Sequence, residues 1–138
     1  MGEINTDFLN KCIATLEKSY KLLKKSKPDT IDYEMYRNSL VKAFEMTLEQ
    51  SGKLLRKKIT PYFPSKKAVD ALNFKDLFRH ASKRGLLSGD EAAMWFKYRD
   101  NRNNTAHDYG EAFAEETLSL IDGFVKSAKR LKKIIENE

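Results

Sequence analysis

Arg99, Arg102, Asn103, His107, Asp108 and Tyr109 share one short run, Arg99-Asp100-Asn101-Arg102-Asn103-Asn104-Thr105-Ala106-His107-Asp108-Tyr109. Their types suit acid–base work on an anion. An unperturbed imidazole titrates near pH 6.5, so a histidine can serve as a neutral base at about pH 7. A guanidinium forks two hydrogen bonds onto phosphate or carboxylate oxygens, and a tyrosine ring stacks while its hydroxyl donates. The run is also out of place. Asn101, Asn103, Asn104 and Thr105 are poor helix formers, each roughly 0.5 kcal/mol worse than alanine, in a stretch whose flanks call for helix. A chain that is locally consistent elsewhere tends to break its own rules at its functional site.

The elements that must carry this run lie on both sides of it. Ser88-Gly89-Asp90-Glu91 has the spacing of a capping box, so a fourth helix opens there. Met94, Trp95 and Tyr98 continue its apolar stripe, and at the next turns the same face offers Asn101, Arg102, Thr105 and Ala106. The first half of this helix therefore packs in the core and the second half faces something polar. Gly110 is placed to end it. A fifth helix begins near Glu111, with Glu111, Glu115 and Glu116 in the first turns, as the helix dipole favours. Its stripe runs Phe113, Thr117, Leu120/Ile121, Phe124, Ala128, Leu131 and Ile135.

Upstream, Phe8, Leu9, Cys12, Ile13, Leu16, Tyr20 and Leu23 recur at spacings of three and four, giving a first helix from about Asp7 to Lys25 with Thr6 or Asp7 as N-cap. Pro28 closes it. A second and longest helix, roughly Thr30 to Ile59, carries Tyr33, Tyr36, Leu40, Ala43/Phe44, Thr47/Leu48, Ser51 and Leu54/Leu55. Within it Gly52, about 1 kcal/mol unfavourable in a helix, marks either a close approach of another helix or a bend. Thr60-Pro61-Tyr62-Phe63-Pro64 ends it, with Tyr62 and Phe63 expected to anchor the turn. A third helix breaks in two: a short piece from Ser65 to Leu72, then Phe74 to Arg84 capped by Asn73, with Leu77, Phe78 and Ala81 inward and Gly85 as the C′ residue. His80 on this piece is read as structural.

No strand alternation and no repeat is present, so the expected fold is all-α, an antiparallel up-down bundle of four or five helices in one domain spanning 1–138. The 138 residues, 41% hydrophobic and 33% charged, suit a folded globular chain with one core. No apolar run of about 18 residues is present to span a bilayer, and Met1-Gly2-Glu3-Ile4-Asn5-Thr6-Asp7 lacks the regions of a secretory signal. No membrane association and a cytoplasmic location are expected. Cys12, the one cysteine, sits on an apolar stripe as a small buried hydrophobe. The net charge of +6 is uneven: Lys53 to Arg84 holds ten Lys/Arg against Asp70 and Asp76, whereas Ser88 to Asp122 holds three basic residues against eight acidic ones. The basic face lies beside the polar run, and a polyanion such as RNA is a reasonable partner for it. Lys126 to Lys133 is basic again at the end of a helix.

On an ideal helix Arg102 and Tyr109 align within about 20°, and Asn103 and His107 align at i, i+4, but Arg102 and His107 are about 140° apart. Either the helix loosens near His107 or another element completes the groove, and a second copy across a two-fold axis supplies one. Arg102-Asn103-Asn104-Thr105-Ala106-His107-Asp108-Tyr109, an Arg-x4-His-x-Tyr motif with a polar residue after the arginine, resembles the motif of the HEPN superfamily, in particular the HepT-like or nucleotidyltransferase substrate-binding branch. Ala43-Phe44-Glu45 on the long helix, Phe74 to Ala81 and Gly85-Leu86-Leu87 agree with it.

The resemblance implies a helical bundle that forms homodimers with two motifs facing a shared cleft. It also implies a minimal nucleotidyltransferase partner that transfers AMP to the motif tyrosine, here Tyr109, and metal-independent ribonuclease activity of a toxin silenced by that antitoxin. Arg102 and His107 are then the catalytic pair, with Arg99, Asn103, Asp108 and Tyr109 binding RNA or nucleotide. RNA cleavage by its own 2′-hydroxyl needs a base at that hydroxyl and a cation on the phosphorane charge, and no metal. The runner-up is a non-catalytic subunit that presents a substrate to its nucleotidyltransferase, and a third reading is a helical adaptor with no ligand. No metal site, glycine-rich phosphate loop or cofactor is expected, because no His-x3-His, cysteine pair or clustered carboxylate set occurs at ligand spacing.

Overall fold

A computed structural model of the chain describes residues 4–105 and 111–137, with side chains described for 4–102 and 115–137. Among these residues every regular element is helical: α1 (Asp7–Lys25), α2 (Ile31–Ile59), α3 (Lys66–Asp70), α4 (Phe74–Lys83), α5 (Gly89–Thr105) and α6 (Glu111–Glu136), with a single 3-10 turn at Thr60–Tyr62 after α2. The expected all-α antiparallel bundle is therefore the observed one. Helices α1, α2, α5 and α6 run up, down, up and down. Ser19 on α1 bonds Ser39 on α2 at 2.8 Å, and Asn101 near the end of α5 meets Thr117 near the start of α6. The short α3 and α4 fill the connection between α2 and α5, so the third helix is broken in two as the sequence predicts.

Local chemistry accounts for these ends. Thr30 Oγ1 accepts from the Tyr33 amide at 3.1 Å to open α2. Asn73 and Asp76 exchange side-chain and backbone bonds in a capping box at α4, as do Ser88 and Glu91 at α5. Gly85, at φ +77°, closes α4: its amide reaches the Ser82 carbonyl while the Leu86 amide reaches Ala81, both at 3.0 Å. Only a residue tolerant of that φ supports this C-terminal motif without strain. Thr6 holds the N-cap position of α1, yet its hydroxyl does not cap. It donates instead to Glu136 at 2.7 Å, tying the start of α1 to the end of α6.

The core gathers the inward stripes of all the longer helices around Phe44, Phe78, Trp95, Tyr98 and Phe124. Gly52 is a close-approach glycine: a Cβ there meets the Phe74 ring at 3.0 Å, so its hydrogen lets α4 lie against α2. Arg56, one of the ten cations of the basic segment, serves the fold. It donates to the Val69 and Leu72 carbonyls at 2.5 and 3.0 Å and clamps the end of α3 to α2. Phe63 and His80 meet edge to face at 5.0 Å, which gives His80 the structural place expected of it. Phe8 and Met94 depart from expectation: at 48% and 38% exposed they flank the buried stripes rather than belong to them. A stripe wider than the groove it fills leaves its outermost member in water.

Glu91 couples the start of α5 to α6, because beyond its capping role it pairs with Arg130. The Arg130 hydrogen bond, more than the capping amide of Ser88, holds the Glu91 carboxyl below the usual carboxylate range against the effect of burial. A depressed folded-state value means stabilisation that is present above the unfolded carboxylate value, near 4.3, and is lost as pH falls through the folded one. Glu91→Gln is expected to lower the denaturation midpoint at pH 7, and the gap to the wild type is expected to narrow as pH falls below the unfolded carboxylate value, near 4.3. Urea melts across that range check this, and a constant gap down to pH 3 contradicts it.

Candidate functional site

Successive residues of a helix point about 100° apart, so the last described turn of α5 sends its side chains to different neighbours. Arg99 lies over the Phe74 ring of α4, with its guanidinium carbon 5.0 Å from the centroid. Asp100 pairs with Lys75 of α4 at 2.7 Å. Asn101, 8% exposed, accepts a 3.1 Å bond from Thr117 of α6, which is fully buried. Arg102 is half-buried and close enough to Arg99 for the two like charges to interact.

The Arg99 guanidinium sits below the usual arginine range, first because it is partly buried and then because Arg102 is near, with Glu49 of α2 acting in the opposite direction. Arginine remains a cation under any such shift at neutral pH. Two positive charges thus stand at the end of α5, one of them partly stripped of water and seated over a ring, a condition that strengthens attraction to an incoming anion.

Arg99 and Arg102 are the sequence-predicted site residues whose side chains the structure brings together. Asn103 is on the last turn of α5, with its side chain outside the described residues, and His107, Asp108 and Tyr109 lie outside them as well. The predicted end of the helix at Gly110 falls there too. Among the described residues no group of three or more His, Cys, Asp or Glu could hold a metal ion, and no helix is long and apolar enough to cross a membrane.

Sequence reasoning missed the neighbours: Glu49, Phe74, Lys75 and the Asn101–Thr117 pair. One signal for the pair was present, since Asn101 and Thr117 are both polar residues at apolar-stripe positions of consecutive helices. A buried polar group needs a partner, and each is the other's. Their bond fixes α5 to α6 one turn before the described part of α5 ends.

Three comparisons bear on this arrangement. Residues 5–137 match the family described as nucleotidyltransferase substrate binding protein like. A Haemophilus influenzae protein named probable ribonuclease HepT is 31% identical over 85 residues, 62% of this chain and 57% of that relative, so the match spans little more than half of the relative's length. Among solved structures, a Haemophilus influenzae protein described as the substrate-binding domain of a nucleotidyltransferase superposes with a TM-score of 0.80 at 23% identity, covering 96% of this chain and all of that one. A tri-AMPylated HEPN toxin of Shewanella oneidensis, solved in complex with its MNT antitoxin, gives 0.66 at 16% identity over 98% of this chain and 100% of its own. The two structural likenesses establish the fold.

Asn101→Ala is expected to destabilise the chain by about 1–3 kcal/mol, the cost of leaving the sealed Thr117 hydroxyl without its acceptor. Adding Thr117→Val recovers part of that loss, because no stranded donor then remains. Urea denaturation of Asn101→Ala, Thr117→Val and the double variant checks the pair, and strictly additive losses contradict it.

Proposed function

The chain belongs to the nucleotidyltransferase substrate-binding protein-like family of HepT-like HEPN proteins, and from that membership we propose that it is the toxin-like subunit of a two-component module with a minimal nucleotidyltransferase. In this reading two copies form one cleft, RNA binds there, and it is cut without a metal. The observation that carries the proposal is the Arg102-x4-His107-x-Tyr109 spacing at the α5–α6 connection of a chain matched to the family over nearly its whole length. The Haemophilus influenzae relative named a probable ribonuclease and the AMPylated Shewanella oneidensis toxin with its antitoxin support the same reading.

The chemistry follows from the residue types. Neutral His107 takes the proton of an RNA 2′-hydroxyl, and that oxygen attacks the adjacent phosphorus. Arg102 holds the charge that builds on the phosphorane oxygens through its forked donors. The bond to the 5′-oxygen breaks, the leaving oxygen takes a proton from the imidazolium or from water, and a 2′,3′-cyclic phosphate remains. Arg99 adds positive potential at the cleft wall, while Asn103 and Asp108 orient the imidazole or the substrate. Transfer of AMP from ATP to the Tyr109 oxygen, with release of pyrophosphate, places a phosphodiester charge and an adenosine where the RNA phosphate binds, and so silences the site. On an ideal helix Arg102 and His107 would point about 140° apart, which supports a cleft built from both copies, with Arg102 from one facing His107 from the other.

A second reading, a non-catalytic subunit that presents substrate to the nucleotidyltransferase, is favoured by the family's own description and by the Haemophilus influenzae neighbour described as a substrate-binding domain. His107 separates the two. The ribonuclease reading predicts cleavage of RNA in EDTA with 2′,3′-cyclic ends and a loss of at least about 100-fold in rate in His107→Ala, with an unchanged thermal melt. An unmodified wild-type chain that cuts nothing in a broad RNA panel leaves the substrate-binding reading. For silencing, incubation with the nucleotidyltransferase, ATP and magnesium is expected to add one or more AMP masses that Tyr109→Phe lacks, and mass retained in that variant at another residue contradicts it.

A further inference from the structure

The outer face of α4 carries cations in a regular order. Leu77, Phe78 and Ala81 face the core, and the opposite side presents Lys75, Arg79 and Lys83 at i, i+4 and i+8. At 1.5 Å per residue these are about 6 Å apart along the axis, comparable to the step between successive phosphates on one extended nucleic-acid strand. Arg84 follows at the lower end, past the last turn of α4 and turned to the Tyr62 ring, and Arg99 stands beside the upper end over Phe74. Four of the five lie on aromatic rings: Arg99 over Phe74 at 5.0 Å, Lys75 and Arg79 over Phe96 at 5.9 and 5.0 Å, and Arg84 over Tyr62 at 4.8 Å.

A cation held against a ring has given up side-chain freedom before any ligand arrives, so binding an anion costs it less. It also keeps its outer donors. Arg79 gives one nitrogen to Asp76 at 2.9 Å and Lys75 pairs with Asp100 at 2.7 Å, which offsets part of the charge. Lys83 and Arg84 have no ion pair among the described residues. Planar guanidinium groups outside aromatic rings offer surfaces on which unpaired bases stack, and the cations between them meet the backbone.

We propose that the Arg99–Lys75–Arg79–Lys83–Arg84 row is a track for the backbone of single-stranded RNA, leading down α4 from the motif at the end of α5. The proposal deepens the ribonuclease reading by naming how substrate outside the cleft is held, and it rests on that reading for the identity of the polyanion. The row joins the motif directly, since Lys75 touches Asp100 and Arg99 is three residues before Arg102. Cleft and track together make a binding site longer than the cleft itself, and the track is blind to sequence because it meets phosphates.

The test uses the full chain and a fluorescent 2′-O-methyl oligouridine, which lacks the attacking hydroxyl and is therefore bound without being cut. Affinity is measured against salt concentration for the wild type and for the triple variant Arg79→Gln/Lys83→Gln/Arg84→Gln, which spares Arg99, Arg102 and His107. Three lost phosphate contacts lower the slope of log K against log salt by about 2 and weaken binding about 100-fold at 0.1 M salt. Restoring charge with Arg79→Lys in the same background recovers about 0.7 of slope. If the triple variant does not fold, Lys83→Gln alone, at an exposed position with no ion pair among the described residues, is expected to lose about 0.7.

Unchanged affinity and slope overturn the track, as does a triple variant that keeps RNA and loses the nucleotidyltransferase, which makes the face a protein-docking surface. Failure of the ribonuclease reading looks different: a wild type that binds the oligouridine through these residues and cuts no RNA refutes the enzyme and leaves the track. Cleavage of long RNA with full retention of binding by the triple variant refutes the track and leaves the enzyme.

Discussion

Trp95 is the contact on which the position of the site depends. Its indole stacks on Phe78 of α4 at 4.9 Å and meets Phe124 of α6 at 5.7 Å, while Tyr98, one turn on, meets Phe124 at 4.9 Å. Phe124 in turn packs on Phe44 of α2 at 4.6 Å. One cluster thus fixes α5 against three other helices at once. Aromatic side chains of this size dominate the energy of a small core and, packed edge to face, also set orientation. With the lower half of α5 locked, its upper turns have only one direction to leave, and they leave carrying Asp100 to Lys75 and Asn101 to Thr117.

From that lock the helix changes character within two turns. Below Tyr98 its inward residues are apolar, and above it they are Asn101 and Arg102. Tyr98 already marks the transition, since its hydroxyl bonds Ser127 at 3.0 Å while its ring stays buried, and burial raises its pKa above the usual tyrosine value. The gradient from ring stack to buried amide to half-buried cation places charge at the rim of a packed bundle rather than inside it. A desolvated arginine pair in the core itself would cost far more than it does at an edge.

Much of the frame was legible from one-dimensional pattern. Apolar residues at three and four, with Pro28, Asn73, Gly85 and the Ser88–Glu91 box as punctuation, give α1, α2, α4 and the starts of α5 and α6 nearly to the residue, because each signal is local. What was not legible depends on pairs far apart in sequence. Thr6 turns from capping its own helix to bond Glu136, Arg56 spends its charge on carbonyls of α3, and Arg99 finds Phe74 across the α4–α5 groove. The site follows the same division. The spacing of Arg102, His107 and Tyr109 is a sequence property, whereas the ring beneath Arg99 and the anchor at Thr117 required the fold. The basic segment reads as one block in sequence, but the structure separates Arg56, which holds the fold together, from Arg79 and Lys83, which face outward.

The central claim is that Arg102 of one copy and His107 of the other act on one phosphate. Mixing separately purified Arg102→Ala and His107→Ala chains, each inactive alone, tests it most directly. Dissociation and random re-pairing make about half of the dimers mixed, each with one of the two Arg102–His107 pairs of the shared cleft intact, so RNA cleavage in EDTA is predicted to return to about a quarter of the wild-type rate. A mixture verified to contain the mixed dimer that remains as inactive as its components contradicts a cleft shared between two copies.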